Sequence, residues 1–198
     1  LEVVTPPGKS ILYIGRVCHE KGADCLIRAF QLLGGNTQLI ICGEGPMKEL
    51  LQTYCVREKL NVKWLGIGSP DKIDRCMQKS ALVVVPSRQS EESSMTIVNS
   101  LACGRPVVAS NSGGNAELVH HGKNGFIFQS GDSEDLKVTL LMALNADLNK
   151  LSYKAIDDTI HDFSTENHLR KVVGIYRQVN RHYFDKVPQS RTARSKIL

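Results

Sequence analysis

Several features are scarce in this 198-residue sequence, and each scarcity removes a class of protein. No apolar run approaches the ~18 residues of a membrane-spanning helix, and the opening Leu1-Glu-Val-Val-Thr-Pro-Pro-Gly8 lacks the pattern of a signal peptide. No Cys-x-x-Cys or Cys/His ligand spacing occurs. The six cysteines (18, 25, 42, 55, 76 and 103) therefore read as small core hydrophobes in a reducing, cytoplasmic compartment, and not as a disulfide or zinc framework. Internal repeats and low-complexity segments are also absent. The missing initiator Met and the Pro/Gly character of residues 1–8 suggest a linker, with a further domain expected before it.

Net charge is scarce in the body of the chain. Of the net +5, residues 181–198 hold +4, with Arg181, Lys186, Arg191, Arg194 and Lys196 against Asp185. A near-neutral body argues against nucleic acid as a partner. The tail reads as a solvated end, or as a peripheral contact with an anionic membrane surface. The composition, 41% apolar and 23% charged, is that of an ordinary globular protein.

What the sequence has in abundance is short apolar runs followed by polar loops. Lys9–Gly15, Leu39–Cys42, Val62–Leu65, Ala81–Val85, Pro106–Ser110 and Gly125–Phe128 read as strands, and helix-period segments lie between them. Pro46 is expected near the first position of its helix, Ser69 and Pro70 as N-cap and first residue of the next, and a short helix over Ala116–His121. About six strands alternating with helices predict an α/β, Rossmann-like parallel sheet with helices on both faces. From Asp132 onward the pattern is helical only: Leu136, Leu140, Leu141 and Leu144 share one face, and Leu169, Val172, Val173, Tyr176 and Val179 share another. The expected layout is a linker over 1–8, a Rossmann-like domain over 9–180, which the resemblance given below implies to be nucleotide-sugar-binding, and a basic tail over 181–198.

Polar residues with a chemical use cluster after the predicted strands, where open α/β sheets bind ligands. Arg16 and Lys21 flank the first loop, and the helix start near Gly22 is expected to add unpaired backbone N–H groups; together they suit a pyrophosphate. Solvated surface cations are the plain alternative. Glu91 and Glu92 stand in the loop after the fourth strand, and Asn99 interrupts an apolar helix eight residues after Glu91, so a carboxylate and an amide can together hold hydroxyls. Paired acid/base carboxylates are the competing chemistry, but adjacent glutamates on an extended loop point apart. The amides of Ser93 to Thr96 would form a second anion cradle facing the first. Gly43-Glu-Gly-Pro46 lacks the third glycine of a dinucleotide fingerprint, which argues for a turn over nicotinamide binding. Glu117 reads as a dipole-favoured residue in a helix's first turn.

Seven pieces in order carry a resemblance. They are Gly15-Arg16-x4-Lys21-Gly22, Cys42-Gly-Glu-Gly-Pro46, Trp64-Leu-Gly66, Pro86-Ser87-x3-Glu91, Leu101-Ala-Cys-Gly-Arg-Pro-Val-Val-Ala109, Gly113-Gly114-x2-Glu117 and Gly122-x2-Gly125. Together they resemble the C-terminal, donor-binding half of a GT-B glycosyltransferase, in particular the retaining family 4. The resemblance implies that Arg16 and Lys21 bind the diphosphate of a nucleotide sugar and Glu91 the hydroxyls of its sugar. It also implies that amides around Ser94, Met95 and Thr96 touch the sugar and distal phosphate, and that backbone near Ile67 and Gly68 meets the nucleobase. Gly15 and Gly43 are taken with them as donor-binding. Where the family has a second Glu on the ribose, this chain has Asn99. No cofactor and no metal is implied; the sequence has no DxD near the site. The implied partners are the nucleotide sugar, an acceptor sugar or lipid-linked glycan, and an N-terminal acceptor domain outside this chain, so the chain alone is expected to be inactive. A GT-B sugar-nucleotide epimerase and a non-catalytic subunit remain the alternatives.

Overall fold

A computed structural model describes residues 10–90 and 94–186. Glu91 and Glu92, Ser93, the linker over 1–8 and residues 187–198 of the expected tail lie outside the described residues. The chain divides into a larger unit ending at Ile160 and a smaller one beginning at His161.

Six strands form one fully parallel sheet: β1 (Ser10–Ile14), β2 (Gln38–Cys42), β3 (Val62–Trp64), β4 (Leu82–Val85), β5 (Val107–Ser110) and β6 (Gly125–Phe128), in the order β3-β2-β1-β4-β5-β6. Between them run α1 (Ala23–Leu33), α2 (Lys48–Arg57), α3 (Pro70–Lys79), α4 (Met95–Ala102) and α5 (Asn115–Leu118); α6 (Ser133–Asn145), α7 (Leu148–Phe163) and α8 (Thr165–Lys186) follow. The expected α/β fold is therefore present, with helices on both faces and helices at the end.

Period-2 alternation along the strands sends side chains to two cores. Ile11 and Tyr13 of β1 join Leu39, Ile41, Leu82 and Val84 under α1 and α6, where Leu26, Phe30, Leu136 and Leu140 pack. Leu12 joins Val83, Val85, Val107 and Ala109 against Met77 of α3, Ile97 and Leu101 of α4, and Ala155 of α7. Ile11, Leu12, Leu26, Leu82, Ile97 and Leu136 are fully buried, each contributing ~1.5–3 kcal/mol over an exposed position. Burial on both faces is why these strands read as continuous apolar runs.

The strand order reverses between β1 and β4. The chain winds outward through β2 and β3, then returns to pair β4 beside β1 with Ile11 opposite Leu82 and Tyr13 opposite Val84. The loops leaving β1 and β4 therefore diverge at the carboxyl edge and leave a crevice between them.

Several expected boundaries move. Helix α2 begins at Lys48, because Met47 N–H donates to Val17 O (3.1 Å) and keeps Pro46 in a turn. Ser69 is the N-cap of α3 but its side chain caps nothing. Helix α5 stops at Leu118 rather than His121, since Asn124 Oδ1 takes His120 N–H (2.8 Å) and draws the backbone toward β6. Leu141, expected on a buried face with Leu136 and Leu140, is 39% exposed. Asp132 caps α6, accepting from Glu134 and Asp135 N–H (2.9 and 3.0 Å). Within the smaller unit α8 continues to Lys186, into the segment read as a tail, and Leu169, Tyr176 and Val179 of its apolar stripe are exposed.

Candidate functional site

The crevice is built by close backbone approach. A Cβ on Gly43 would collide with Gly15 O, so the carboxyl ends of β1 and β2 touch through two bare backbones. Gly22, at φ 70°, lies in the left-handed region, and a Cβ there would strike Pro86 O just beyond β4. Glycine is thus required at both positions by contact, and at Gly22 by conformation as well. The β1–α1 loop is also stitched to the turn before α2, with Val17 N–H donating to Glu44 O (2.8 Å), and the Tyr13 hydroxyl closes it by donating to Arg16 O (2.7 Å).

A seam of polar bonds joins the other loops of the carboxyl edge. Glu20 O accepts from Arg88 N–H (2.8 Å), Gln89 N–H (3.2 Å) and the Ser87 hydroxyl (3.3 Å). Ser87 O accepts in turn from the hydroxyls of Ser110 (2.6 Å) and Ser130 (3.3 Å), and Arg88 O accepts from Ser112 (3.2 Å). Loops following β1, β4, β5 and β6 are therefore held in one network.

Between the β1 and β4 loops lies a cavity of about 80 Å³, lined by Gly15, Lys21, Ser87, Ser94 and Thr96, with Tyr13, Ile14, Val85 and Pro86 as its apolar side. Its volume is a few times the ~30 Å³ share of one water, which suits a phosphate-sized group. Larger cavities of about 550 and 390 Å³ lie along α2, away from this convergence of a cation and hydroxyls. Among the described residues nothing accepts from the amides of Met95 and Thr96 in the first turn of α4, whereas Ile97 N–H is tied to Ser94 O (3.0 Å).

The start of α1 differs from expectation. Gly22 N–H donates to His19 O (2.9 Å) and Ala23 N–H to Cys18 O (3.3 Å), and the Asp24 carboxylate stands in the first turn, where neighbouring backbone N–H groups favour its charge. Two of the amides expected to be unpaired there are thus occupied, by carbonyls of the β1–α1 loop. Among the described residues, the first-turn amides of Met95 and Thr96 in α4 have no acceptor. Burial would raise the Asp24 pKa, but the hydrogen bonds and charge of Arg88, with the backbone N–H groups, outweigh it and hold the carboxyl below its usual range.

Of the residues singled out from sequence, the structure gathers Gly15, Lys21, Ser94 and Thr96 around this cavity. Gly43 supports it from behind through Gly15. Arg16 is exposed and does not line it, although its carbonyl is pinned by Tyr13. Met95 is 64% exposed, and Asn99 is exposed on the next turn of α4. Ile67 is 82% exposed, and Gly68 sits beside Ile73 and Lys72 in the loop after β3. That loop lies two strands from β1, with the Glu44 carboxylate next to Gly66.

The network residues Arg88, Asp24, Ser110 and Ser130 escaped sequence reasoning. Arg88 stands inside Pro86-Ser87-x3-Glu91 and Asp24 three residues after Lys21; their opposite charges were the only available signal, and nothing local tells that they meet. The four buried cysteines fit the core reading: burial pushes the thiols of Cys25 and Cys55 up to about 11 and that of Cys42 to about 12. Among the described residues no helix is long and apolar enough to cross a membrane.

A doubly wound parallel sheet with a polar cavity at its switch point defines a Rossmann-like α/β domain. Residues 5–158 match the family model of the glycosyl transferases group 1, and the chain belongs to that family. It is 32% identical over 169 residues to an uncharacterized glycosyltransferase of Methanocaldococcus jannaschii, covering 85% of this chain and 46% of that protein. The 2-deoxystreptamine N-acetyl-D-glucosaminyltransferase of Niallia circulans is 27% identical over 129 residues, 63% of this chain and 33% of the relative. The chain thus spans less than half the length of these curated relatives. Among solved structures, Anabaena HepE in complex with UDP-glucose superposes with a TM-score of 0.72 at 26% identity, over 90% of this chain and 49% of that one. It is a GT-B neighbour of this fold, and it has also been solved in complex with UDP.

Proposed function

We propose that this chain is the C-terminal, donor-binding half of a retaining GT-B glycosyltransferase of family 4. It takes a nucleoside-diphosphate sugar and passes the sugar to an acceptor, a sugar or lipid-linked glycan, held mainly by an N-terminal domain outside this chain. The observation that carries this reading is the cavity between the β1 and β4 loops, where Lys21, the Gly15 backbone and the first turn of α4 converge. A relative of the same fold was solved holding UDP-glucose.

In this reading the diphosphate lies across the cavity, with the Lys21 ammonium and the Met95 and Thr96 amides against its oxygens. Arg16, exposed on the same loop, reaches it from the solvent side. As the anomeric bond breaks, negative charge accumulates on the departing diphosphate. Groups that hold that charge more strongly than the ground state lower the barrier, and Lys21, Arg16 and the positive end of the α4 dipole are such groups. These cations and amides serve the leaving group without a resident metal. Glu91 and Asn99 are assigned to the donor's sugar and ribose hydroxyls, and the backbone at Ile67 and Gly68 to the base. Departure and attack on one face of the sugar give retention of anomeric configuration.

Thermal unfolding of the chain in the presence of UDP, GDP and ADP tests the reading. A ligand at a hundred times its Kd raises stability by ~2.7 kcal/mol, enough to shift the midpoint by several degrees. A midpoint unmoved by all three contradicts the proposal. Proton NMR of the product made by the full-length enzyme checks retention, and an inverted anomer contradicts it.

A further inference from the structure

We propose that Arg88 is a positioning residue that holds Lys21 in place for the diphosphate. The inference rests on the functional reading above and deepens it. One residue of the β4–α4 loop grips the chain on both sides of Lys21, in the β1–α1 loop before it and in the first turn of α1 after it. Its guanidinium Nη1 donates to His19 O (2.9 Å) and to Asp24 Oδ1 (2.6 Å), and Nη2 donates to Asp24 Oδ2 (3.0 Å). Its backbone N–H donates to Glu20 O (2.8 Å). Residues 19, 20 and 24 are thereby fixed to a single partner, and Lys21 is carried on the short segment between them.

The chemistry needs Arg at this position. Three acceptors lie in two directions, a carboxylate edge and a carbonyl, and only a planar fork with several N–H groups meets them at once; an ammonium satisfies one direction at a time. Arg88 itself does not line the cavity and Lys21 does, so its effect on a ligand passes through the loop. Lys21 from one side of the crevice and Ser94 and Thr96 from the other line the cavity. Fixing a loop before the ligand arrives removes the ordering cost from binding.

A double-mutant cycle in UDP affinity, measured by calorimetry on the 198-residue chain, tests the inference. Arg88→Met in the native background is expected to weaken UDP about tenfold, or about 1.4 kcal/mol, and Arg88→Lys to recover part of that loss. In the Lys21→Ala background Arg88→Met is expected to cost less than about twofold, because the residue it positions is gone. A merely structural role would give the same loss in both backgrounds, and that result overturns the inference, as does unchanged affinity in Arg88→Met. If Arg88→Met fails to fold, Asp24→Asn, which weakens one arm of the grip and leaves the His19 bond, enters the same cycle with the same expectation. Native chain that binds no nucleoside diphosphate overturns the functional reading and this inference with it. Binding with an additive cycle overturns the inference alone.

Discussion

Arg88 and Asp24 form a two-pronged ion pair, 2.6 and 3.0 Å, that crosses the crevice between β1 and β4. The pair locks the two loops whose divergence creates the candidate site. It also helps to hold the Asp24 carboxyl below its usual range.

Asp24 carries a folded-state pKa below its ordinary value of 3.8. A depressed carboxyl contributes stability that is fully present above the unfolded pKa and is lost as pH falls through the folded one. Asp24→Asn is therefore expected to lower the unfolding free energy by about 1 kcal/mol at pH 7, the pair being partly exposed. The gap to the native chain should hold down to about pH 5 and close below pH 4. Urea unfolding at a series of pH values checks this, and a gap that does not close on acidification contradicts it.

Gly43→Ala is expected to destabilise the fold by ~2–4 kcal/mol, because the added methyl meets the Gly15 carbonyl, which is backbone and cannot rotate away. Gly174→Ala is the control: nothing lies within 4 Å of its Cβ position and its φ is not positive, so inside α8 the change is expected to leave stability unchanged or raise it by up to ~1 kcal/mol. Chemical unfolding of both variants measures the difference.

Asp158 of α7, 8% exposed, holds the loop before β6, accepting from Asn124 Nδ2 (3.0 Å) and pairing with His120 Nδ1 (3.3 Å), while Lys154 Nζ meets its other oxygen (2.8 Å). Burial would raise its pKa, but Lys154 and then His120 outweigh that and lower it. Asp158→Ala strands the fully buried Asn124 amide from one of its two acceptors, Leu118 O being the other, and is expected to cost ~1.5–3 kcal/mol of stability. Nucleotide affinity should stay within about twofold, as the cluster lies outside the cavity. A thermal melt and a UDP titration of the same variant separate the two effects.

Asn99 occupies the position assigned to the ribose. A charged acceptor makes a stronger hydrogen bond than a neutral one by about 1 kcal/mol, so Asn99→Glu is expected to tighten UDP roughly fivefold. Calorimetry checks it, and weaker or unchanged binding removes Asn99 from the site.

The sheet was legible because buried parallel strands write themselves as apolar runs. Leu82–Val85 and Val107–Ser110, buried on both faces, could be little else. Gly15 and Lys21 were legible as loop residues after such a strand, and Thr96 as the opening of a helix. Relations between distant segments were not. Nothing around Asp24 says that its partner lies 64 residues on. The helix start at Lys48 was misplaced for the same reason, since Val17 O, thirty residues from Met47, decides it, whereas the end at Leu118 turns on a local side-chain bond from His120 N–H to Asn124 Oδ1.

The central claim is that Lys21 binds the diphosphate of a nucleotide in the crevice between β1 and β4. Its most direct measurement is a calorimetric titration of UDP into the native chain and into Lys21→Ala. The predicted result is binding by the native chain with a loss of ~1.5–3 kcal/mol in the variant, ten- to a hundredfold in Kd. Equal affinity in the two proteins would contradict it.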